Sequence, residues 1–156
     1  MTAQLGDGDQ APDFSLPTGA GEFVSLDSLK GRKTVLYFYP KDDTDGCTAE
    51  ALAFDGLRAE FHQAKTQIIG ISPDSIAKHE KFKRKHGLAL TLASDPTKVM
   101  LEAYGVWREK TMYGRKYMGV ERTTVLIDRQ GAIARIWRKV KVPGHAEEVL
   151  DAARAL

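Results

Sequence analysis

With 156 residues, 42% of them hydrophobic, the chain is long enough to bury roughly two thirds of the surface it exposes when unfolded. A single cysteine excludes an intrachain disulfide and fits a reducing compartment. A net charge of +2 gives no pointer to nucleic acid, and no stretch approaches the roughly 18 apolar residues of a membrane-spanning helix.

Met1 to Asp7 reads as neither signal peptide nor membrane anchor, so a cytoplasmic protein is expected. Residues 6–20 read as a loop that lays a short extended segment against the body. Phe23 to Leu26 reads as a short strand, and Asp27 to Gly31 as one helical turn closed by glycine. Thr34 to Tyr39 is a continuous β-branched and aromatic run, the pattern of a strand buried on both faces. Pro40 ends it, because proline cannot donate to a ladder. A helix is predicted from about Thr44 or Cys47 to Ala64, with Phe54, Leu57, Phe61 and Ala64 as its apolar stripe.

Gln67 to Ser72 reads as a second buried strand. Ser75 is the expected N-cap of a helix that runs to His86 and is closed by Gly87. Lys78, Lys81, Lys83, Arg84 and Lys85 give this helix a solvated basic face, without the interleaved aromatics of a base-stacking surface. Leu90 to Ala93 is a short strand, and Asp95 to Tyr104 a helix. Arg115 to Gly119, Thr123 to Ile127 and Ile133 to Lys139 are strands, the last two joined by a turn over Asp128 to Gly131. His145 to Ala155 closes the chain as a helix, with Val149, Leu150, Ala153 and Leu156 facing inward. Alternating strands and helices followed by a hairpin predict one α/β domain over residues 1–156, a central mixed β-sheet flanked by helices on both faces.

Cys47 falls just after a buried strand and in the first turn of a helix. Open α/β sheets place their sites at such strand ends. The nucleophilic form of cysteine is the thiolate, and a free thiol titrates near about 8.5. Unpaired N–H groups and the positive end of the helix dipole would favour the anion, as would a nearby guanidinium. Thr44 is three residues earlier and shares a helix face with Cys47 if the first turn is helical. Pro40 is placed to wall the sulfur from bulk water. Buried free cysteines commonly serve as small hydrophobes, but Asp42, Asp43, Thr44, Asp45, Gly46 and Glu50 make a polar neighbourhood for a core filler.

Pro40-x-x-x-Thr44-x-x-Cys47 resembles the active-site motif of the peroxiredoxins. The longer string from Phe38 to Glu50 is similar to one branch, the bacterioferritin-comigratory proteins or PrxQ. Gly8 to Pro17 resembles the opening of that branch, and Gly70 to Ser72, Ser94-Asp95, Tyr104 to Trp107 and the run from Arg122 to Asp128 resemble its later landmarks. The resemblance implies a thioredoxin-like fold and reduction of hydrogen peroxide and alkyl hydroperoxides. It casts Cys47 as the peroxidatic cysteine, Thr44 as peroxide-binding, Pro40 as a shield and Arg122 as the cation that stabilises the thiolate and the polarised O–O bond. Spacing alone does not predict that Arg122 reaches Cys47. Glu50 stays ambiguous: helix-start chemistry on one reading, orientation of an arginine or the substrate on the other.

Two positions depart from the branch. Asp45 stands where many members have proline. Leu52 stands where the common resolving cysteine lies, five residues after the peroxidatic one. The implied cycle therefore passes through a Cys47 sulfenic acid that an external thiol resolves: thioredoxin, glutaredoxin or a small thiol. No cofactor and no metal are expected. His79 and His86, seven apart, read as surface residues and a poor metal site. His145 reads as a helix start, and Trp107 and Trp137 as core or rim packing. A monomer is expected, with a weak dimer as the variant. The rival class is a non-catalytic thioredoxin-like binding module.

Overall fold

The computed structural model describes residues 4–156. The reading of the N-terminal start lies partly on residues 1–3, outside the described residues. In chain order the elements are β1 (Ser15–Gly19), β2 (Glu22–Ser25), α1 (Leu26–Leu29), β3 (Lys33–Phe38), α2 (Asp45–Gly56), α3 (Arg58–Gln63), β4 (Thr66–Ser72) and α4 (Ile76–His86). They continue with β5 (Thr91–Ser94), α5 (Val99–Ala103), β6 (Trp107–Met112), β7 (Arg115–Val120), β8 (Thr123–Ile127), β9 (Ile133–Trp137) and α6 (His145–Ala155).

Five strands form the central sheet in the order β5-β4-β3-β8-β9. β3, β4 and β5 run parallel, while β8 and β9 are antiparallel to their neighbours. The sheet is thus mixed, as predicted. β3 is its middle strand and is buried along its whole length. Its alternate residues serve two cores, as the period of two in a strand requires. Leu36 and Phe38 join Ile69, Ile71, Val125 and Leu101 on one face. Val35, Tyr37 and Tyr39 join Phe54, Phe61, Phe82, Val149 and Leu150 on the other. Cys47 belongs to this second core.

Close packing beside β3 depends on Gly70. A methyl group there would lie 2.6 Å from Tyr37 Cζ and 2.8 Å from Leu92 Cδ2. The missing side chain lets the Tyr37 ring lie between β4 and α2, stacked on Phe54 at a centroid distance of 4.8 Å.

Several boundaries differ from expectation. The long helix predicted to end at Ala64 breaks at Leu57, which ends α2 and begins α3 with φ −102° and ψ 8°. The helix after Asp95 is only α5; a turn with Lys98 at φ 64° precedes it, and Asp95 Oδ2 accepts from the Leu101 N–H at 2.9 Å. Leu156 lies beyond α6 and is exposed, not inward-facing. The strand Trp107–Met112 was not foreseen, because its mixed charged and polar residues show no apolar alternation. It pairs with β7 as an outer ribbon. Extended residues 15–19, read as loop, pair with β2 as a first hairpin. Among the described residues no helix is long and apolar enough to cross a membrane.

Candidate active site

β3 delivers the chain to the site, and α2 receives it. Thr44 is the N-cap of α2, so Cys47 is the third helical residue, inside the turn whose N–H groups have no intrahelical acceptor. The Thr44 side chain does not cap the helix; its hydroxyl donates to the Lys41 carbonyl at 2.9 Å. Thr44 is exposed and Pro40 half-buried on the loop before the helix. Cys47 itself is 1% exposed.

Arg122 arrives from the start of β8, the strand paired beside β3. Phe38 pairs with Thr123 at the last register position of β3 and β8. That pairing sets Arg122 just past the sheet edge where β3 hands over to the α2 loop. The Val140 N–H donates to its carbonyl at 3.0 Å and pins its backbone. The side chain then forks. Nη2 donates to Cys47 Sγ at 3.4 Å, and Nη1 donates to Glu50 Oε1 at 2.6 Å. The structure therefore brings Arg122 to the sulfur across 75 residues of sequence.

Gly46 makes room for this approach. A methyl group at Gly46 would lie 3.2 Å from Arg122 Nη2. In the sequence Gly46 is only one small neighbour of Cys47. The need for a guanidinium to pass it is a tertiary fact.

Glu50 is as buried as the cysteine, at 1%. Burial pushes its carboxyl up to about 7, against the pull of Arg122. Burial also opposes the Arg122 charge, but Glu50 and Cys47 more than offset it and hold the guanidinium above its ordinary value. Of the two readings of Glu50, the geometry matches the one in which it orients an arginine.

The loop between Pro40 and Thr44 is clamped by α4, and the clamp corrects the reading of His79. That residue is 1% exposed, not on the surface. Its Nδ1 lies 2.6 Å from Asp42 Oδ2, and its Nε2 lies 3.1 Å from the Ala93 carbonyl oxygen. Both neighbours present hydrogen-bond acceptors to the ring. Asp42 also accepts from the Tyr39 hydroxyl at 2.6 Å, and its N–H donates to Asp74 Oδ2 at 2.7 Å. Asp42, Asp74 and His79 bring three candidate metal-ligand atoms within 4.8 Å of one another, but each is already engaged by protein partners.

One turn pair further along α4, Lys85 and His86 bond the two oxygens of Asp43 at 2.7 and 2.9 Å. These bonds hold the Asp43 carboxyl below its ordinary range. The spacing of His79 and His86 was the available signal. Residues seven apart on a helix share a face, and Asp42-Asp43 presents two adjacent acids to it.

His145 opens α6 and is buried, with Nε2 2.8 Å from Thr124 Oγ1 and its ring edge-on to Phe54 and Trp137. Burial lowers its pKa. Trp137 is buried with Arg135 over its ring, and Trp107 is partly buried beneath Lys98. A groove of about 870 Å³ lies at the opposite ends of the parallel strands, lined by Arg32, Arg58, Lys65 and Arg129 among others. It is remote from the thiol.

Comparison with known proteins identifies the family and the fold. Residues 8–136 match the AhpC/TSA family. The chain is 47% identical to Peroxiredoxin Bcp of Bacillus subtilis over 97% of this chain and 95% of that protein. Among solved structures, a PrxQ of Xylella fastidiosa superposes with a TM-score of 0.92 at 37% identity, covering 99% of this chain and 98% of that one. The bacterioferritin comigratory protein of Xanthomonas campestris, described for its alkyl peroxide reduction activity, gives 0.90 at 40% identity with the same coverage. With its thioredoxin-like fold, the chain belongs to the AhpC/TSA family of peroxiredoxins, in the Bcp or PrxQ branch, as a form without a resolving cysteine.

Proposed function

We propose that this peroxiredoxin reduces hydrogen peroxide and alkyl hydroperoxides through a sulfenic acid on Cys47, and that an external thiol completes the cycle. The observation that carries the reading is the forked Arg122, with one nitrogen on the sulfur and the other held by a buried carboxyl. A cation fixed this way favours the thiolate and cannot drift to solvent. The Cys47 thiolate attacks the terminal peroxide oxygen. An S–O bond forms, the O–O bond breaks, and the leaving oxygen takes a proton as water or an alcohol. Arg122 also serves the developing charge on that oxygen. Thr44, one turn before the sulfur, orients the peroxide with its hydroxyl, and Pro40 screens the approach from bulk water.

Resolution must come from outside, because Leu52 stands at the usual resolving position and Cys47 is the only cysteine. A thiol of thioredoxin, glutaredoxin or a small molecule condenses with the sulfenic acid, and a second thiol frees Cys47. A sulfur 1% exposed cannot form a mixed disulfide where it stands. The first turn after Gly46 therefore unwinds during turnover, and its amides lose hydrogen-exchange protection in the mixed disulfide. The need for reducing thiols fits a single-domain monomer in the cytoplasm. The rival binding module gives no reason for a buried thiol set against an arginine. Peroxide consumption with dithiothreitol is the test. Wild type turns over and Cys47→Ser does not; equal, slow consumption by both would end the peroxidase reading.

A further inference from the structure

Arg122 stands between two acids. Its Nη1 is 2.6 Å from Glu50 Oε1 and its Nη2 is 3.4 Å from Cys47 Sγ. A guanidinium supplies one positive charge and keeps it at any working pH. A thiolate and a carboxylate together would leave this buried site with net negative charge. The second Glu50 oxygen, Oε2, is buried and meets no hydrogen-bond partner among the described residues. An ionised oxygen left without a donor carries its full desolvation cost, whereas a neutral carboxyl carries far less.

Burial accordingly pushes Glu50 up to about 7 even with Arg122 in contact. Among the described residues, the other groups around the pair supply no second cation in contact. Tyr37, from β3, presents a buried hydroxyl that meets no partner among the described residues, and burial first and Glu50 next push its pKa well up. Lys110, from β6, acts only through its field; burial and Arg122 push its ammonium down.

We propose that Glu50 stores the proton of the site, as a carboxylic acid while Cys47 is a thiolate and as a carboxylate once Cys47 is a sulfenic acid. The proposal rests on the peroxidase reading above. Before the reaction the charges are Arg122 positive, sulfur negative and Glu50 neutral. After it they are Arg122 positive, Glu50 negative and the sulfenic acid neutral. The buried site is neutral in both states. The sulfur is oxidised, the peroxide is reduced, and the electron pair of the O–O bond leaves on the departing oxygen. The proton given up by Glu50 balances the one that this oxygen takes.

Reduction restores the store. The first external thiol and the sulfenic acid give a mixed disulfide and water. The second thiol gives the external disulfide, the Cys47 thiolate and one proton, which returns to Glu50. Glu50 acts here through the proton it holds, so it is a positioning residue for the Arg122–Cys47 pair.

Infrared difference spectroscopy of the full chain at about pH 8 tests this. At that pH a Glu50 without a neighbouring anion is mostly ionised, given its value of about 7. Reduced wild type is expected to show a protonated-carboxyl C=O band. The band vanishes with one equivalent of hydrogen peroxide and returns with dithiothreitol. Glu50→Gln lacks it throughout. So does Cys47→Ser, whose hydroxyl carries no charge. Mass spectrometry of the same samples reports the oxygen added to Cys47. An added oxygen with no change in the carboxyl region overturns the proton store and leaves the peroxidase reading standing. No added oxygen overturns both. The wild-type difference spectrum needs no substitution, so the result does not depend on a variant that folds.

Discussion

Replacing Arg122 with alanine removes one cation and two bonds at once, and the structure sets the size of the effect. The Nη2 bond to the sulfur is long at 3.4 Å, yet it joins two charges when Cys47 is a thiolate. A bond of that class contributes about 1.5–3 kcal/mol. A Coulomb estimate for unit charges at this separation, with an effective dielectric near 20, gives about 5 kcal/mol and brackets the value from above. The guanidinium is partly screened, with its side chain 17% exposed, so the lower range applies. Peroxide reduction by Arg122→Ala should fall roughly 10- to 150-fold at neutral pH, at 1.4 kcal/mol per decade. Arg122→Lys should fall between the two, because a single ammonium cannot hold Sγ and Oε1 in one fork. Stopped-flow kcat/KM for hydrogen peroxide, with dithiothreitol in excess, measures both. If Arg122→Ala stays within about twofold of wild type, the transition state draws nothing from the cation and the reasoning is wrong.

Four further outcomes follow from the same contacts. Glu50 has a folded pKa of about 7 against an ordinary 4.5; because it is raised, its stabilising contribution is complete below 4.5 and is lost as pH rises through 7. In a Cys47→Ser background, urea titrations should show that Glu50→Gln flattens a loss of about 3 kcal/mol across that window. His79→Ala leaves Asp42 buried without its partner and should cost about 3–5 kcal/mol by the same titration. Gly70→Ala forces a methyl into Tyr37 and Leu92 and should cost about 1–3 kcal/mol, a fall in Tm of roughly 2–12 °C by calorimetry. Leu52→Cys should form a disulfide with Cys47 only on peroxide treatment and with loss of helical circular dichroism, because positions five apart in a helix have Cα atoms about 8.7 Å apart, beyond disulfide reach.

What could be read in the sequence was what local physics decides. β3 announces itself because six consecutive residues are buried on both faces. Gly87 ends α4 in the left-handed conformation, and Ser75 caps its start by accepting from the Lys78 N–H at 3.2 Å. Pro40, Thr44 and Cys47 lie within eight residues, so their neighbourhood was visible. Arg122 was named only through the family resemblance; residue spacing could not place it, because its reach depends on β8 pairing antiparallel with β3, and nothing near residue 122 encodes that. His79 was misread for a related reason. Lysines and an arginine surround it, and only the tertiary approach of Asp42 makes that stripe of α4 an inward face. The ribbon of β6 and β7 is stabilised by its own pairing rather than by a buried side, which leaves no apolar period to detect.

The two clamps and the fork divide the site into a fixed part and a movable one. Asp42 and Asp43 are tied to α4 by His79, Lys85 and His86, so the loop before Thr44 is anchored. Phe54 is stacked on Tyr37 and fully buried, so the far half of α2 is anchored as well. Residues 44–53 lie between these anchors. Their helix start has no side-chain cap, since the Thr44 hydroxyl is engaged by Lys41. A missing cap weakens a helix end by about 1 kcal/mol. The principal side-chain bond across this segment is the fork from Arg122; on the proposed cycle, oxidation of Cys47 removes the sulfur charge on which the Nη2 half depends, while the Nη1 bond still holds Glu50. On that cycle the first step frees Cys47 from the cation while Glu50 stays held, so the turn around Cys47 is the part free to open for the second step, and the anchors on either side keep the opening local.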